Sequence, residues 1–482
     1  MASAPTGRML NVLISTKLSV MKKTIYIVAC TALLTGCKQY SNYERPEELT
    51  QGIEKLYRDT TATYQVVQAD TTNFGNTPWQ KVFTDAKLQS LIRKALENNL
   101  NLQSTELNIE QSKQALKIAR LAYLPSLTLG GQGTATSWDY GKATQTYSFP
   151  LTASWQIGAL GSKRNIKKQA QANLEYTKEY RQAVRTSLIA GVANLYYTLQ
   201  MLDEQLKTTK ETVDIWKENV RVMEAMKVGG MTTEAAVGQA RANYYQLEAS
   251  IPVLEENIRQ AENSLCTLLA EPAHPIERNA FAADGFPASY STGIPLQLLA
   301  NRPDVRAAEA QIAASFYNIN VARSSFYPSL TITGQAAWTN SYGLIVNPGK
   351  ILASAIASFS QTLFANGQLT AQLKVSKLQY ENTLLQFKNT LLNAGNEVSN
   401  ALSAYQSAQL QETAREKQVE QLNHTLEQTQ MLFTHTNQTT YLEVLTAQQS
   451  LIQAQLNLIS VRFDKVQAGI NLYQALGGGR EK

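Results

Sequence analysis

Apolar and polar side chains alternate along short stretches in both halves of the chain. In the clearest stretch, from Tyr147 to Ile157, aromatic or aliphatic side chains at odd positions alternate with Ser, Thr and Gln at most even positions. Stretches that begin at Leu127 and Leu330 follow the same pattern, whereas the one from Ile351 to Phe364 alternates poorly. Because a period of two residues is typical of strands with one apolar face, the pattern predicts two strand hairpins.

The predicted hairpins cover residues 126–158 and 329–364, with polar loops at 138–144 and 340–350. Strands of about 10 residues, apolar on one face and polar but uncharged on the other, fit a transmembrane barrel. A half-buried sheet of a soluble protein shows similar alternation. The pattern alone therefore leaves both environments open.

Four strands cannot close a barrel, and open strand edges are not tolerated in lipid. A membrane role therefore requires several chains in one ring. Two chains would supply eight strands, which enclose an interior filled by side chains, and three would supply twelve. A conducting pore favours three.

A seven-residue repeat of apolar residues fills a proline-free part of the first half. One seam is Val192, Leu199, Leu206, Val213 and Val220, and its companion is Leu188, Leu195, Leu202, Trp216 and Met223. This spacing predicts a coiled-coil helix over residues 162–227, ~100 Å long at 1.5 Å per residue. Gly229-Gly230 is expected to end it, and a second helix is expected over residues 233–269.

The second half repeats this pattern. Its seams are Leu378, Leu385 and Leu392, with Leu384, Leu391, Val398 and Tyr405. They predict a long helix that leads to a turn near Asn437. A last helix is expected over residues 441–476, and Gly477-Gly478-Gly479 would end it. The helices by themselves also suit a soluble coiled-coil lipoprotein.

The two halves are an internal duplication. Residues 124–137 realign with 327–340 at an offset of 203 positions, and seven of fourteen residues are identical. Roughly one identity is expected by chance at ordinary residue usage. We therefore assign one structural repeat to residues 85–270 and a second to 301–476. The remaining segments are an N-terminal segment at 37–84, a linker at 271–300 and a tail at 477–482.

The N-terminus has the features of an export signal. Basic residues after Met21 precede about ten apolar residues, too few to span a ~30 Å hydrocarbon layer as a helix. The following Leu34-Thr35-Gly36-Cys37 resembles the lipobox of bacterial lipoproteins. The resemblance implies that residues 1–36 are removed and that Cys37 carries acyl chains such as palmitate. An uncleaved helical anchor is the alternative, and Met21 is the expected natural start.

Composition argues against several classes of function. Once residues 1–36 are set aside, 40 basic residues face 38 acidic ones, so no single-sign field indicates nucleic acid. Only 3 cysteines and 3 histidines occur, without metal-ligand spacing. The sequence has no P-loop and no nucleophile motif, and we expect neither an enzyme, a metal site nor a cofactor.

The most specific motif spans residues 294–306 and contains Leu298-Leu299-Ala300-Asn301-Arg302-Pro303-Asp304-Val305, with Glu309 just after it. With this motif, the chain resembles the TolC-like outer membrane efflux proteins, in particular their lipoprotein branch. Pro303 and Asp304 also fit an ordinary helix start.

The resemblance implies a homotrimer with a twelve-stranded barrel in the outer membrane and a helical barrel in the periplasm. A mixed equatorial belt would come from residues near 38–80, residues 271–300 and the C-terminus. Pro125 and Pro328 would mark the junctions from helix to strand. The implied partners are outer membrane lipid, a periplasmic adaptor and an inner-membrane transporter of the resistance-nodulation-division type.

The resemblance also implies a periplasmic gate on the last long helix. Glu443 occupies the first carboxylate position, whereas Thr446 occupies the second, where acid is lost. Three Glu443 side chains around one axis would repel each other and attract cations. The alternative is a solvated helix residue without a gating role.

Two hairpin tips are the implied docking sites for the adaptor. The first contains Gly229, Gly230 and Met231, and the second contains Asn437 and Gln438. Glycines there are also ordinary turn residues.

The predicted function is the exit duct of a tripartite efflux pump. A type I secretion channel for proteins is the alternative within this class, since its pore would be the same. The adaptor itself is a weaker alternative, because it would lack the duplicated strands.

Overall fold

The computed structural model describes residues 40–46, 56, 74–137, 139–157, 161–281, 301–342, 345–436 and 439–480. The predicted signal at 1–36, Cys37, Asn437 and Gln438 lie outside the described residues. The chain divides into two compact units. The first includes residues 111–174 and 310–385 with all described strands, and the second includes residues 175–309 and 386–482.

Long helices form most of the described chain. They are α1 (Ala86–Asn98), α2 (Leu100–Leu121), α3 (Ser162–Val228), α4 (Glu234–Leu269), α5 (Pro303–Ser324), α6 (Gln368–Thr436) and α7 (Tyr441–Ala475). The predicted ends of α3, α4 and α7 lie within one residue of those observed. No helix among the described residues is both long enough and apolar enough to cross a membrane.

Glycine ends two of these helices in the same way. After α3, Met231 N–H donates to the Met226 carbonyl at 2.9 Å and Gly230 N–H donates to Lys227 at 3.0 Å, with Gly230 at φ +72°. This is a Schellman motif, whose left-handed position favours glycine. Gly477, at φ +79°, ends α7 with the same pair of bonds. The predicted glycine stops are thus observed.

The residues after α7 are buried. The Tyr473 hydroxyl accepts from Gly479 N–H at 2.8 Å, and a Cβ on Gly478 would lie 2.5 Å from the Tyr473 ring. The Gly478 carbonyl accepts from the Thr186 hydroxyl at 2.6 Å. Only glycine fits so close to the ring, so this segment fastens the end of α7 to α3.

The strands form one antiparallel sheet. They are β1 (Ser126–Leu129), β2 (Gln132–Thr136), β3 (Thr144–Gln156), β4 (Ser329–Tyr342) and β5 (Ile345–Ser360). The order is β1-β3-β4-β5, and β2 also pairs with β3. Pro125 and Pro328 directly precede β1 and β4, as the resemblance implied.

The first of the four predicted strands is divided into β1 and β2. Five strands are therefore observed where four were predicted. The register runs on without a slip, from Leu129 opposite Leu151 to Gln132 opposite Ser148. Between them Gly130 faces Pro150, which has no N–H to donate to the ladder. The Gly130 N–H still donates to the Pro150 carbonyl at 3.0 Å. The break therefore follows from the missing donor of Pro150.

The second hairpin differs from its predicted bounds. The expected loop at 340–350 is largely strand, because Ser341 pairs with Val346 and Tyr342 with Ile345. β5 ends at Ser360 rather than at 364, since β4 begins at Ser329 and offers no partner beyond it. The alternation rule missed the strand residues within 340–350 because polar and apolar residues do not alternate regularly there.

The register places most apolar side chains of β1 to β4 on one face, whereas β5 carries apolar side chains on both, since Leu352 lies opposite Ala337 and Ile356 opposite Thr333. Leu129, Leu151, Ala336 and Ala353 are aligned across the sheet, and Phe149, Trp338 and Ile351 form a second such row. Thr128, Thr152, Gln335 and Ser354 are aligned on the opposite face. The predicted division into an apolar and a polar face is therefore observed for β1 to β4, and the poor alternation predicted for the fourth strand is observed in β5.

The two predicted coiled-coil seams have different environments. On α3, Val192, Leu199 and Val213 are buried. On α6, Leu378, Leu385 and Leu392 are 54%, 69% and 48% exposed. The seven-residue repeat predicts a packed face on α6 as well, but these three leucines are not buried in the single chain. The companion residues Leu391, Val398 and Tyr405 are buried.

Candidate functional site

The proposed aperture residues lie on an exposed face at the start of α7. Glu443 is in the first turn, and its carboxylate accepts a hydrogen bond from the Thr439 hydroxyl. Thr446 is exposed, and its hydroxyl donates to the Leu442 carbonyl at 2.8 Å. An acidic residue near a helix N-terminus is stabilised by the helix dipole. Glu443 is therefore free to face solvent while it also supports the helix start.

A buried polar contact joins α7 to α3 within two residues of Glu443 and Thr446 along α7. The Tyr441 hydroxyl donates to the Asn219 side-chain oxygen at 2.8 Å, and the Asn219 amide donates to Gln448. Asn219 and Gln448 are both buried. Burial is also the main cause that raises the pKa of Tyr441. Sequence reasoning missed these three residues, because Asn219 lies outside both seven-residue seams and no local pattern marks it.

An apolar cluster surrounds this contact. Trp216 and Met223 of α3 pack with Val237 and Ala240 of α4 and with Leu445 of α7. Two of the five, Trp216 and Met223, belong to the predicted seam. Movement of α7 away from α3 would expose this cluster and separate the hydrogen-bonded side chains, so the two helices are fastened together at this level.

The first hairpin tip exposes apolar side chains next to its two glycines. Val228 is 90% exposed and Met231 is 71% exposed. A Cβ on Gly230 would meet nothing within 4 Å. Val228 and Met231 therefore leave a small apolar surface exposed beside the turn.

Ion pairs stiffen the helices behind this tip. Lys227 pairs with Glu234 across the turn, and Arg241 binds Glu224 at 2.6 Å. The hydrogen bond from Lys227, followed by its charge, lowers the pKa of Glu234. The tip is thus presented on two connected helices.

The family-signature residues hold the second unit together rather than line an open site. The Arg302 guanidinium binds Asp304 at 2.6 Å, Glu397 at 2.7 Å and the Ala475 carbonyl at 2.9 Å. Burial acts to lower the pKa of Arg302, but the Asp304 hydrogen bond and the charges of both carboxylates outweigh it and raise the pKa. These bonds connect the start of α5 with α6 and with the end of α7.

The other signature residues are close to this contact in the chain. Pro303 is the first residue of α5 and is buried, whereas Glu309 is half-buried. Sequence reasoning identified Arg302 and Asp304 but not Glu397 as a partner, because 93 positions separate Glu397 from Asp304 along the chain.

Within the part of the chain that the structure describes, no group of three or more His, Cys, Asp or Glu side chains is placed to hold a metal ion. The candidate sites consist of exposed carboxylates, contacts between helices, and a sheet with an apolar and a polar face.

The sequence matches a family model described as outer membrane efflux protein over residues 91–271 and 294–478. The chain belongs to the outer membrane efflux protein family. One matched range falls in each half of the duplicated chain.

Similar proteins of known name extend over nearly the whole chain. The cation efflux system protein CusC of Escherichia coli O6:H1 is 28% identical over 455 residues, which cover 93% of this chain and 97% of CusC. The probable outer membrane lipoprotein SilC of Salmonella typhimurium is 25% identical over 463 residues, or 95% of this chain and 99% of SilC. The toluene efflux pump outer membrane protein TtgC of Pseudomonas putida is 28% identical over 486 residues, which cover 95% of this chain and 96% of TtgC.

Solved structures show the same fold. A crystal structure of CusC gives a TM-score of 0.81 at 25% identity and covers 92% of this chain and 100% of that chain. The open state of the MtrE outer membrane channel of Neisseria gonorrhoeae gives 0.80 at 25% identity, with 92% and 98% covered.

These comparisons confirm the predicted fold class, the outer membrane location and the role as an efflux channel. The family and its structural neighbours are channel proteins rather than enzymes.

Proposed function

We propose that three copies of this chain form the exit duct of a tripartite efflux pump, which passively conducts small molecules from the periplasm to the exterior. The observation that carries this proposal is the sheet, in which aligned apolar side chains of every strand share one face and whose two edges, β1 with β2 and β5, pair with no other strand among the described residues. In lipid, the unpaired N–H and C=O groups of such edges must find partners. In a ring, the β5 edge of one copy would pair with the β1 and β2 edge of the next, and three copies would enclose a pore wide enough to conduct.

The exposed seam of α6 supports the same assembly. Leu378, Leu385 and Leu392 repeat every seven residues, the spacing of a coiled-coil face, yet they are largely exposed in the single chain. A helix of a neighbouring copy would cover them. The α6 helix thus offers a second contact between copies, outside the sheet.

The names of the relatives favour efflux of small solutes over secretion of proteins. They are described as outer membrane parts of cation, antibiotic and toluene efflux systems. In our proposal the inner-membrane transporter selects the cargo, and a periplasmic adaptor docks on the hairpin tips. The first tip, with Gly229, Gly230 and Met231, is described above, and Asn437 and Gln438 would form the second.

Glu443 is the proposed aperture residue, next to Thr446. Its carboxylate is exposed on α7, and the Tyr441–Asn219–Gln448 contact holds that helix against α3. Release of this contact would let α7 move and widen the aperture. Cys37 is the proposed site of lipidation, and SilC is described as a probable lipoprotein.

Planar bilayers test this function directly. We expect the purified mature protein to form cation-selective channels with a low open probability, because a closed aperture ringed by carboxylates restricts flow. A protein that inserts into the bilayer and passes no ions under any voltage would contradict the proposal.

A further inference from the structure

The compact unit that contains the strands is strongly basic, although the chain without residues 1–36 is nearly balanced. Its ranges 111–174 and 310–385 contain 12 basic and 2 acidic residues, whereas the rest of that chain contains 28 basic and 36 acidic residues. The two acidic residues are Asp139, between β2 and β3, and Glu381, in the fourth turn of α6. A positive field is therefore concentrated on this unit.

The helices that adjoin the strands meet the sheet at one end. The antiparallel register places the start of β1 opposite the end of β3, and the start of β4 opposite the end of β5. The ends of α2 and α5 and the starts of α3 and α6 therefore lie at this same end. No acidic residue occurs in the segments that meet there, at 111–125, 157–174, 310–328 and 361–380.

Four of the basic residues lie at the start of α3. Lys163, Arg164, Lys167 and Lys168 occupy its first two turns, and we call them the junction cluster. Cations at a helix N-terminus oppose the helix dipole, and like charges three or four positions apart repel each other. Burial, followed by the charge of Arg164, lowers the pKa of Lys168. The start of α6 has no charge before Lys374, so a helix can begin at this end of the sheet without such a cluster.

Only part of this charge is satisfied within the chain. Lys163 donates to the Ala122 carbonyl at the end of α2. Lys168 donates to the Asn42 side chain and lies 5.4 Å from the centre of the Tyr317 ring. Among the residues that the structure describes, the other two members of the cluster have no hydrogen-bond or ion-pair partner, and no carboxylate lies within ion-pair distance of any of the four. The cluster therefore calls for an anion from outside the chain.

The proposed lipid anchor leads to the same place. Tyr40 packs against Gly161, directly before α3, where a Cβ would lie 2.8 Å from the Tyr40 ring. Cys37 precedes Tyr40 by three positions, so even a fully extended chain keeps the two within about 11 Å. Acyl chains on Cys37 would therefore enter lipid close to the junction cluster.

Aromatic side chains mark the lipid boundary at this end of the sheet. Trp155, next to the end of β3, is exposed, and its indole N–H donates to the carbonyl of exposed Tyr123 at 2.9 Å. Trp and Tyr at the ends of transmembrane strands typically lie between the hydrocarbon and the headgroups. The junction cluster begins eight residues after Trp155, beyond the apolar face of the sheet. Headgroup phosphates are the anions expected at this depth.

We propose that the junction cluster binds the phosphate of an anionic phospholipid, such as phosphatidylglycerol, in the leaflet that faces the periplasm. Arg164 would bind phosphate oxygens through two N–H groups, and Lys167 would add a second cation. The acyl chains of this lipid would lie beside those of Cys37 and against the exposed side chain of Ile166. This inference rests on the proposed function, because it requires the sheet to lie in lipid.

Fluorescent lipids test the proposal on the purified mature protein in a nonionic detergent. Phosphatidylglycerol and phosphatidylcholine with the same labelled acyl chain share the phosphate and differ in net charge. We expect saturable binding of the phosphatidylglycerol above a micelle-only blank, about ten-fold tighter than that of the phosphatidylcholine. Glycerol phosphate, which lacks acyl chains, should not displace it at the same concentration.

Two double variants separate the cluster from the general charge of the unit. Arg164→Gln combined with Lys167→Gln should reduce the preference for phosphatidylglycerol to about two-fold or less, because the phosphate loses both unpartnered cations. Lys142→Gln combined with Lys350→Gln removes the same charge toward the other end of the sheet. Its preference should stay within about two-fold of the wild type, since screening by salt limits the reach of distant charges. Circular dichroism checks that both variants fold.

Equal affinity of the wild type for the two lipids, or equal preference in the two double variants, would overturn the proposal. Absence of saturable binding above the blank would also overturn it, and displacement by glycerol phosphate would replace the lipid with a soluble phosphate. Ion conductance of the same preparation reports the proposed function separately. A protein that conducts but does not distinguish the two lipids contradicts the lipid site alone.

Discussion

The helices α3 and α6 occupy equivalent positions in the two halves of the chain, yet their apolar seams meet different surroundings. Leu199 of α3 is fully buried, whereas Leu385 of α6 is 69% exposed. Both residues belong to seven-residue repeats that predict a packed face. The repeat therefore shows that a helix needs a partner but not whether the partner belongs to the same chain. In our account α3 finds its partners within the chain and α6 finds one in a neighbouring copy.

The largest effect is expected from charges in the α6 seam. Leu378→Asp combined with Leu385→Asp should abolish the trimer, because a contact between copies cannot bury two unpaired carboxylates. The released chain should keep its helical circular dichroism, since both leucines are exposed in the single chain. Size-exclusion chromatography with light scattering measures the mass.

The matched control places the same charges one residue further along α6. Gln379→Asp combined with Gln386→Asp has the same spacing on another exposed face and should leave the trimer intact. If the leucine variant remains trimeric, or if both variants dissociate alike, the seam does not carry the contact.

A smaller effect is expected within α3. Leu199→Ala should lower the free energy of unfolding by about 2–5 kcal/mol, because it opens a cavity in a packed seam. Thermal unfolding followed by circular dichroism measures this loss. Leu385→Ala, a truncation of the same size on α6, should leave secondary structure and the intrinsic stability of the single chain nearly unchanged. Equal destabilisation of the dissociated chain by both would remove the distinction between the seams.

A third prediction concerns the contact between α7 and α3. Tyr441→Phe removes the hydroxyl that donates to Asn219, a bond worth about 0.5–1.5 kcal/mol. The open probability in planar bilayers should therefore rise about two- to ten-fold. Tyr244→Phe is the control, because the Tyr244 hydroxyl bonds to Glu248 of its own helix. An unchanged open probability for Tyr441→Phe would mean that this contact does not restrain α7.

The smallest effect is expected from Glu443→Gln, which removes the charge but keeps an acceptor for Thr439. Selectivity for cations, measured as the reversal potential in a salt gradient, should fall without a loss of conductance. Glu256→Gln, on α4, should leave the reversal potential as it is. Unchanged selectivity in Glu443→Gln would exclude this residue from the aperture.

Local patterns were sufficient for much of the fold. The seven-residue repeat and the glycines at 230 and 477 predicted the helix ends, because both act within one or two turns of the chain. Alternation predicted which residues of β1, β3 and β4 share the apolar face of the sheet, but it gave no such division for β5, which has apolar residues on both faces. It did not predict the break at Gly130, which follows from Pro150 on the paired strand.

The candidate site was harder to predict, because its contacts join residues that are far apart in the sequence. Glu443 was found by its position next to a family-like segment, and the bond from Thr439 is local. The Asn219–Gln448 pair spans 229 positions, and nothing near either residue indicates the other. The same holds for Arg302 and Glu397, which only the packing of α5 against α6 brings together.

Native mass spectrometry of the mature protein released from detergent distinguishes a ring of three chains from a single chain. We expect one species with the mass of three chains, because the open edges of the sheet are then paired around a closed ring. A single-chain mass from a preparation that still conducts ions in bilayers would contradict it.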